Sequence, residues 1–231
     1  MPAPTDNTAQ LDRVLPLSRF LSRLIESRPE IGEELRTSLQ TPWTAQAMRD
    51  VLAAEAADEA ALRPGLRRLR ARVMARIVAR DLAGLGDLAE VTETMTTLAE
   101  VTVGHAAALL SAVLVARHGT PRSAAGEAQE LAVIGMGKLG GRELNVSSDI
   151  DLIFAYPEDG ETDGEGACLS NFEFFTRLGR QLIGALAEIT GDGQVFRVDM
   201  RLRPNGDSGP LVASFDMLEN YFITQGREWE R

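Results

Sequence analysis

The sequence predicts an α+β fold: an all-α helical region at the N-terminus, then a small mixed sheet. Three observations predict it. Residues 9–118 are rich in Ala, Leu, Arg and Glu with few β-branched runs, which favours helices. Past residue 120, short apolar runs at 131–134 and 150–156 and an alternating run at 195–202 read as strands. An amphipathic helix over 171–189 separates the last two.

In chain order, the first helix is predicted over 16–27, with Leu17, Phe20, Leu21, Leu24 and Ile25 on one face. Pro16 fits there because the first turn has free N–H groups anyway. Pro29 opens a shorter helix, and Thr44 is placed to cap a third. A fourth runs over 59–85 with a break or irregular turn at Pro64-Gly65. The last spans 88–118 and stops at Gly119. With short loops this is a helical bundle. An acidic, glycine-rich loop is expected at 159–166. The 171–189 helix would bury Phe172, Phe175, Leu178, Leu182, Ile183 and Leu186, and 214–225 reads as a further helix. The organisation is thus a helical lead-in at 1–119, a linker at 120–129 and a mixed unit at 130–231. The end at Trp229-Glu230-Arg231 reads as a helix cut after it has begun, so a fragment is expected.

Composition narrows the classes. A chain of 231 residues that is 44% hydrophobic and 25% charged builds an ordinary globular core. A net charge of −10 argues against coating nucleic acid or an anionic membrane. The single cysteine, Cys168, excludes an internal disulfide, and two histidines beside it make structural zinc improbable. Residues 1–10 lack the basic and apolar regions of a signal peptide. The longest mostly apolar run, 106–116, is short of the ~20 residues that span a bilayer. A cytoplasmic protein is expected.

The chemistry concentrates in 135–154. Strand side chains alternate, so Asp149 and Asp151 project together while Ile150 and Leu152 point to the opposite, apolar side. Two carboxylates on one face repel unless a cation lies between them, and hard oxygen donors suit magnesium. In 195–203, Val195, Arg197, Asp199, Arg201 and Arg203 share one face; Phe196, Val198, Met200 and Leu202 share the other. If this strand lies beside the first, Asp199 completes a three-carboxylate, two-metal site for in-line displacement at phosphorus. Gly140 and Gly141 would let backbone N–H groups approach phosphates. Ser148 would donate a hydroxyl, and Lys138, Arg201 and Arg203 would balance phosphate charge. Gly135-x-Gly137-x-x-Gly140 mimics a dinucleotide fingerprint, but the next strand follows too soon for the crossover helix. Gly137-Lys138 is no P-loop, because Ala132 and Leu139 stand where Gly and Ser/Thr are needed.

This order of glycines, Asp-x-Asp, helix and lone strand acid resembles the DNA polymerase β-like nucleotidyltransferase superfamily. The stretches 135–156, 174–183, 197–204, 206–212 and 225–231 are similar to the glutamine synthetase adenylyltransferase/adenylyl-removing family, strongly over 130–231 and more loosely before it. Val146 departs from it, standing where an aromatic is frequent. The resemblance implies a polymerase β-like catalytic domain at 130–231, truncated at its C-terminus, from the N-terminal of two catalytic halves. It implies phosphorolytic removal of AMP from a tyrosine of glutamine synthetase, releasing ADP. Asp149, Asp151 and Asp199 would hold two Mg2+ ions, with nucleotide and phosphate as substrates or products. Implied partners are glutamine synthetase and a PII signalling protein, with neither nucleic acid nor membrane. Two alternatives stay open: forward adenylylation with ATP, and an inactive fragment acting as an interaction module.

Other features take plainer readings. Residues 63–80 hold seven arginines and no acid, with Arg68, Arg72, Arg76 and Arg80 in one i, i+4 row. The row is either a docking face for an acidic partner or phosphate, or a face paired with acids of neighbouring helices. The second is the simpler. His105 and His118 read as helix-packing and helix-end residues, and Met74, Met95 and Met136 as core filler.

Overall fold

The computed structural model describes residues 6–166 and 168–226. Residues 1–5 and residues 227–231 of the closing motif lie outside the described residues.

Six helices open the chain: α1 (Asn7–Val14), α2 (Arg19–Ser27), α3 (Pro29–Ser38), α4 (Ala45–Glu55), α5 (Glu59–Leu82) and α6 (Leu88–His118). Their starts are chemically marked. Asp6, Ser18, Thr44, Asp58 and Asp87 each accept a hydrogen bond from a first-turn N–H. The helix predicted from Pro16 starts instead at Arg19, because Pro16 sits in a 3-10 turn (Leu15–Leu17) and Ser18 caps α2. Leu21 is fully buried, but Leu17 is 67% exposed and Phe20 45%, so those two leave the expected stripe. Helix α1 has no counterpart among the predicted helices.

The expected break at Pro64-Gly65 does not occur; α5 runs through it. Pro64 lacks an N–H and so forfeits one early helical hydrogen bond. Gly65 serves contact rather than a turn: a Cβ there would lie 2.6 Å from the Glu55 carbonyl oxygen and 2.7 Å from Ala56 Cβ. The glycine lets α5 close against the end of α4.

The arginine row on α5 is paired with acids of neighbouring helices, and its Arg76 and Arg80 are buried, which overturns the docking-face reading. Arg68 pairs with Glu55, Arg72 with Glu34 and Glu55, Arg76 with Glu34, and Arg80 with Glu90. Arg76 also lies 4.3 Å over the Trp43 ring, and Arg80 donates to the Leu39 and Leu85 carbonyls. Buried guanidinium groups require such partners.

The remainder is mixed. Strand β1 (Pro121–Ser123) pairs antiparallel with β4 (Gly160–Thr162), closed by the Arg122–Asp163 ion pair. The segments expected as linker and acidic loop therefore each contribute a strand. Strands β2 (Ala132–Met136), β3 (Ile150–Tyr156), β5 (Val198–Asp199) and β6 (Val212–Ser214) form the main sheet. β2 pairs antiparallel with β3 along one edge; β5 and β6 pair parallel with it along the other. Helix α7 is the short turn Gly137–Gly140, α8 spans Asn171–Ala187 behind a Ser170/Glu173 capping box, and α9 spans Phe215–Thr224.

Only Val198–Asp199 of the predicted 195–202 strand pairs. Val195 and Phe196 are both buried, because their N–H groups both reach the Leu186 carbonyl at the end of α8. Phe172 is 39% exposed; Phe174 takes its place in the buried stripe of α8.

β3 separates two environments. Ile150, Leu152, Phe154 and Tyr156 enter the main core with α8, while Ile153 and Ala155 meet Leu218 and Phe222 of α9. The main core runs unbroken from Met48 in α4 to Val212 in β6, so the helical and mixed parts share it. By length and composition α6 is apolar enough to cross a membrane, which a count of uninterrupted apolar residues does not reveal. Its apolarity is accounted for by packing: Met95, Leu98, Ala106, Leu110 and Leu114 lie in that shared core.

Two glycines separate contact from propensity. Gly65→Ala is expected to destabilise the fold by about 1–3 kcal/mol through overpacking. Gly104→Ala, where a Cβ meets nothing within 4 Å on the exposed side of α6, is expected to stabilise it by about 0.5–1 kcal/mol. Urea unfolding of both variants checks the contrast.

Candidate active site

The predicted acids gather at the N-terminal end of β3. Asp151 stands in direct parallel register with Asp199 of β5, one strand away. Asp149 precedes β3 by one residue and is exposed, Asp151 is half-buried, and the Asp199 side chain is 13% exposed. Asp151 points away from the core-facing Ile150 and Leu152. Its face is covered farther along by α9, beyond Ile153.

Local chemistry holds this end in place. The Asn145 Oδ1 accepts from the Ser147 N–H, the Ser147 hydroxyl and the Ser148 hydroxyl, an Asx turn that delivers the chain into β3. Arg197 Nη2 donates to the Ser147 carbonyl at 2.6 Å, and the Ile150 N–H to the Arg197 carbonyl, tying the loop to β5. Ser148 is thus already engaged in positioning the loop. Asn145 is a contributor that sequence reasoning does not single out; its signal is an Asn two and three residues before paired serines.

Gly137 is another. Its φ is +53°, and a Cβ on it would lie 2.6 Å from Asp151 Oδ2. Only a residue without a side chain leaves that carboxylate its space. Gly140 packs against β2, where a Cβ would come within 2.6 Å of the Gly135 carbonyl oxygen, and the Gly141 N–H donates to the Gly137 carbonyl. Both therefore build the α7 turn beside the acids. Lys138 is exposed on α7 and enters no ion pair among the described residues.

The two arginines differ. Arg201 folds back on Asp199: Nε lies 3.0 Å from Oδ1 and 2.9 Å from Oδ2, Nη2 lies 2.5 Å from Oδ2, and its backbone N–H donates to Oδ1 at 2.8 Å. Arg203 is largely buried; it donates to the Met200 carbonyl and approaches Asp207, shaping the turn after β5.

Electrostatics divide the acids. Burial, then the charges of Asp199 and Asp149, push the Asp151 carboxyl above its ordinary range, partly offset by Arg201. The Arg201 guanidinium holds Asp199 below its ordinary range. A half-buried carboxylate crowded by two others is a site that a divalent cation relieves, and every donor is oxygen. Among the described residues, no three acids as placed close a metal cage by themselves. Magnesium does not demand one, since it usually takes one or two carboxylates and completes its shell with water and substrate phosphates.

A cavity of about 870 Å3 lies on the other face of the sheet, between α6 and β2, lined largely by apolar residues such as Val103, Ala107, Val133, Leu152 and Leu178. It is separate from the acids.

Comparison with known proteins gives a consistent picture. The family model for glutamate-ammonia ligase adenylyltransferase matches residues 8–231. A bifunctional glutamine synthetase adenylyltransferase/adenylyl-removing enzyme of Aromatoleum aromaticum is 65% identical over 215 residues, 93% of this chain and 23% of the relative. Proteins of the same description from Burkholderia mallei and Nitrosomonas eutropha are 56% and 52% identical, over 94% and 100% of this chain. The chain spans about a quarter of the length of these relatives.

Asp199→Asn removes one like charge and is expected to lower the Asp151 pKa; a 13C carboxyl NMR titration reads it directly. In the unmodified chain the Arg201–Asp199 contact favours folding above the ordinary aspartate pKa of about 3.9. That contribution is lost as pH falls through the lower pKa of folded Asp199.

Proposed function

This chain belongs to the glutamate-ammonia ligase adenylyltransferase family, and on that premise we propose that it carries a magnesium-dependent site for phosphorolytic removal of AMP from a tyrosine of glutamine synthetase. The observation that carries the reading is the Asp151–Asp199 register, with Asp149 beside it at the open end of the sheet. The same arrangement, acid pair on β3, helix α8, then lone acid on β5, supports a polymerase β-like catalytic unit over 130–231, with 1–119 as its helical lead-in and 120–129 as the join.

In this reading an oxygen of inorganic phosphate attacks the AMP phosphorus. The bond from phosphorus to the tyrosine oxygen breaks, ADP leaves, and the tyrosine oxygen takes up a proton. Asp149, Asp151 and Asp199 would hold the magnesium. Bound magnesium supplies charge neutralisation at the attacking and leaving oxygens. Gly137 keeps the Asp151 carboxylate unobstructed. Gly140, Gly141 and Ser148 shape the loop that meets the phosphates, Lys138 and Arg201 balance their charge, and Arg203, expected to join them, instead holds the turn after β5. The partners are glutamine synthetase and, through the helical part, a PII signalling protein, in the cytoplasm.

The full chain is tested with magnesium, adenylylated glutamine synthetase, and either phosphate or pyrophosphate. ADP release that requires phosphate is expected. ATP formation with pyrophosphate assigns the site to the forward adenylylation direction instead. Asp151→Asn is expected to cut release at least ~100-fold; unchanged release would sink the assignment.

A further inference from the structure

Resting on the nucleotidyl-transfer reading above, we propose that Arg201 is a displaceable cation: it holds Asp199 while the metal is absent, then yields the carboxylate and turns to a substrate phosphate. Three observations carry this. Both Asp199 oxygens are occupied by Arg201, the guanidinium through Nε and Nη2 and the backbone N–H on Oδ1. A divalent ion that takes Asp199 must therefore compete with the guanidinium for these two oxygens.

The Arg201 side chain is 72% exposed, whereas that of Asp199 is 13% exposed. The arginine is free to swing outward while the acid stays in its register with Asp151. Ion pairs with an exposed partner are weak, because water competes for the charge, so the latch yields to a metal.

The neighbouring arginines cannot substitute. Arg203 is largely buried and committed to the Met200 carbonyl, and Arg197 is tied to the Ser147 carbonyl. Arg201 alone of the three bonds a carboxylate that the reaction needs. Without metal, its charge offsets three crowded acids; once released, its planar fork suits a phosphate oxygen pair.

The proposal predicts opposite effects on two ligands. In the full chain, Arg201→Gln is expected to bind Mn2+ at least about threefold more tightly, since the competing cation is gone. It is expected to bind inorganic phosphate about tenfold more weakly in the presence of Mn2+. Arg201→Lys, which keeps the charge and loses the fork, is expected to fall between on both. Mn2+ electron paramagnetic resonance and calorimetric phosphate titration read these without turnover. Mn2+ affinity that is unchanged or weaker in Arg201→Gln overturns the displacement. If the unmodified chain binds Mn2+ and Asp151→Asn does not, the metal site stands and only the role of Arg201 is decided by these comparisons. If the unmodified chain binds no Mn2+, the functional reading falls and the proposal with it.

Discussion

The register of β3 is the constraint on which the site depends. One side of the strand is committed to the core through Ile150, Leu152, Phe154 and Tyr156, all buried. Because strand side chains alternate, that commitment throws Asp151 onto the other side. A slip of one residue would drive a carboxylate into the core and bring Ile150 and Leu152 to the surface. Uncompensated burial of a charge costs far more than a strand end can return, so the slip is forbidden. The apolar side chains therefore aim the acid. The same commitment orients β5, whose parallel pairing sets Asp199 opposite Asp151.

Much of this is legible in sequence, for identifiable reasons. β3 is readable with its bounds because a seven-residue apolar run interrupted by one acid has a single sensible placement. Helices α3, α4 and α6 are readable from Pro29, Thr44 and Gly119, residues whose backbone or capping preference is local. β1, β4 and β6 are not readable. Each has three residues, too few to display a period, and each exists because a distant partner pairs with it. β5 shows the opposite error: Val195–Leu202 alternates in sequence, yet two residues pair, because the end of α8 captures the N–H groups of Val195 and Phe196.

Within the site, the paired acids follow from periodicity alone, whereas their supports do not. Gly137 matters because Asp151, fourteen positions later, fills the space its side chain would take. No local rule carries that information. The arginine row on α5 likewise has two readings in sequence. The positions of Glu34, Glu55 and Glu90 decide between them, and each lies on another helix. Charge patterning finds the row; only tertiary proximity says which way it faces.

The unbroken core from α4 to β6 has a genetic consequence. Leu98, Leu110 and Leu114 of α6 lie in one core with Phe154 of the acid-bearing strand and with Leu178 and Leu182 of α8, which backs it. A substitution that loosens α6 therefore disturbs a carboxylate it never touches. In a screen for loss-of-function variants, hits would spread over α4–α6 as well as around the acids, whereas α1–α3 pack in a separate cluster. Their positions would map the shared interior, and proximity to chemistry would be a poor guide to phenotype.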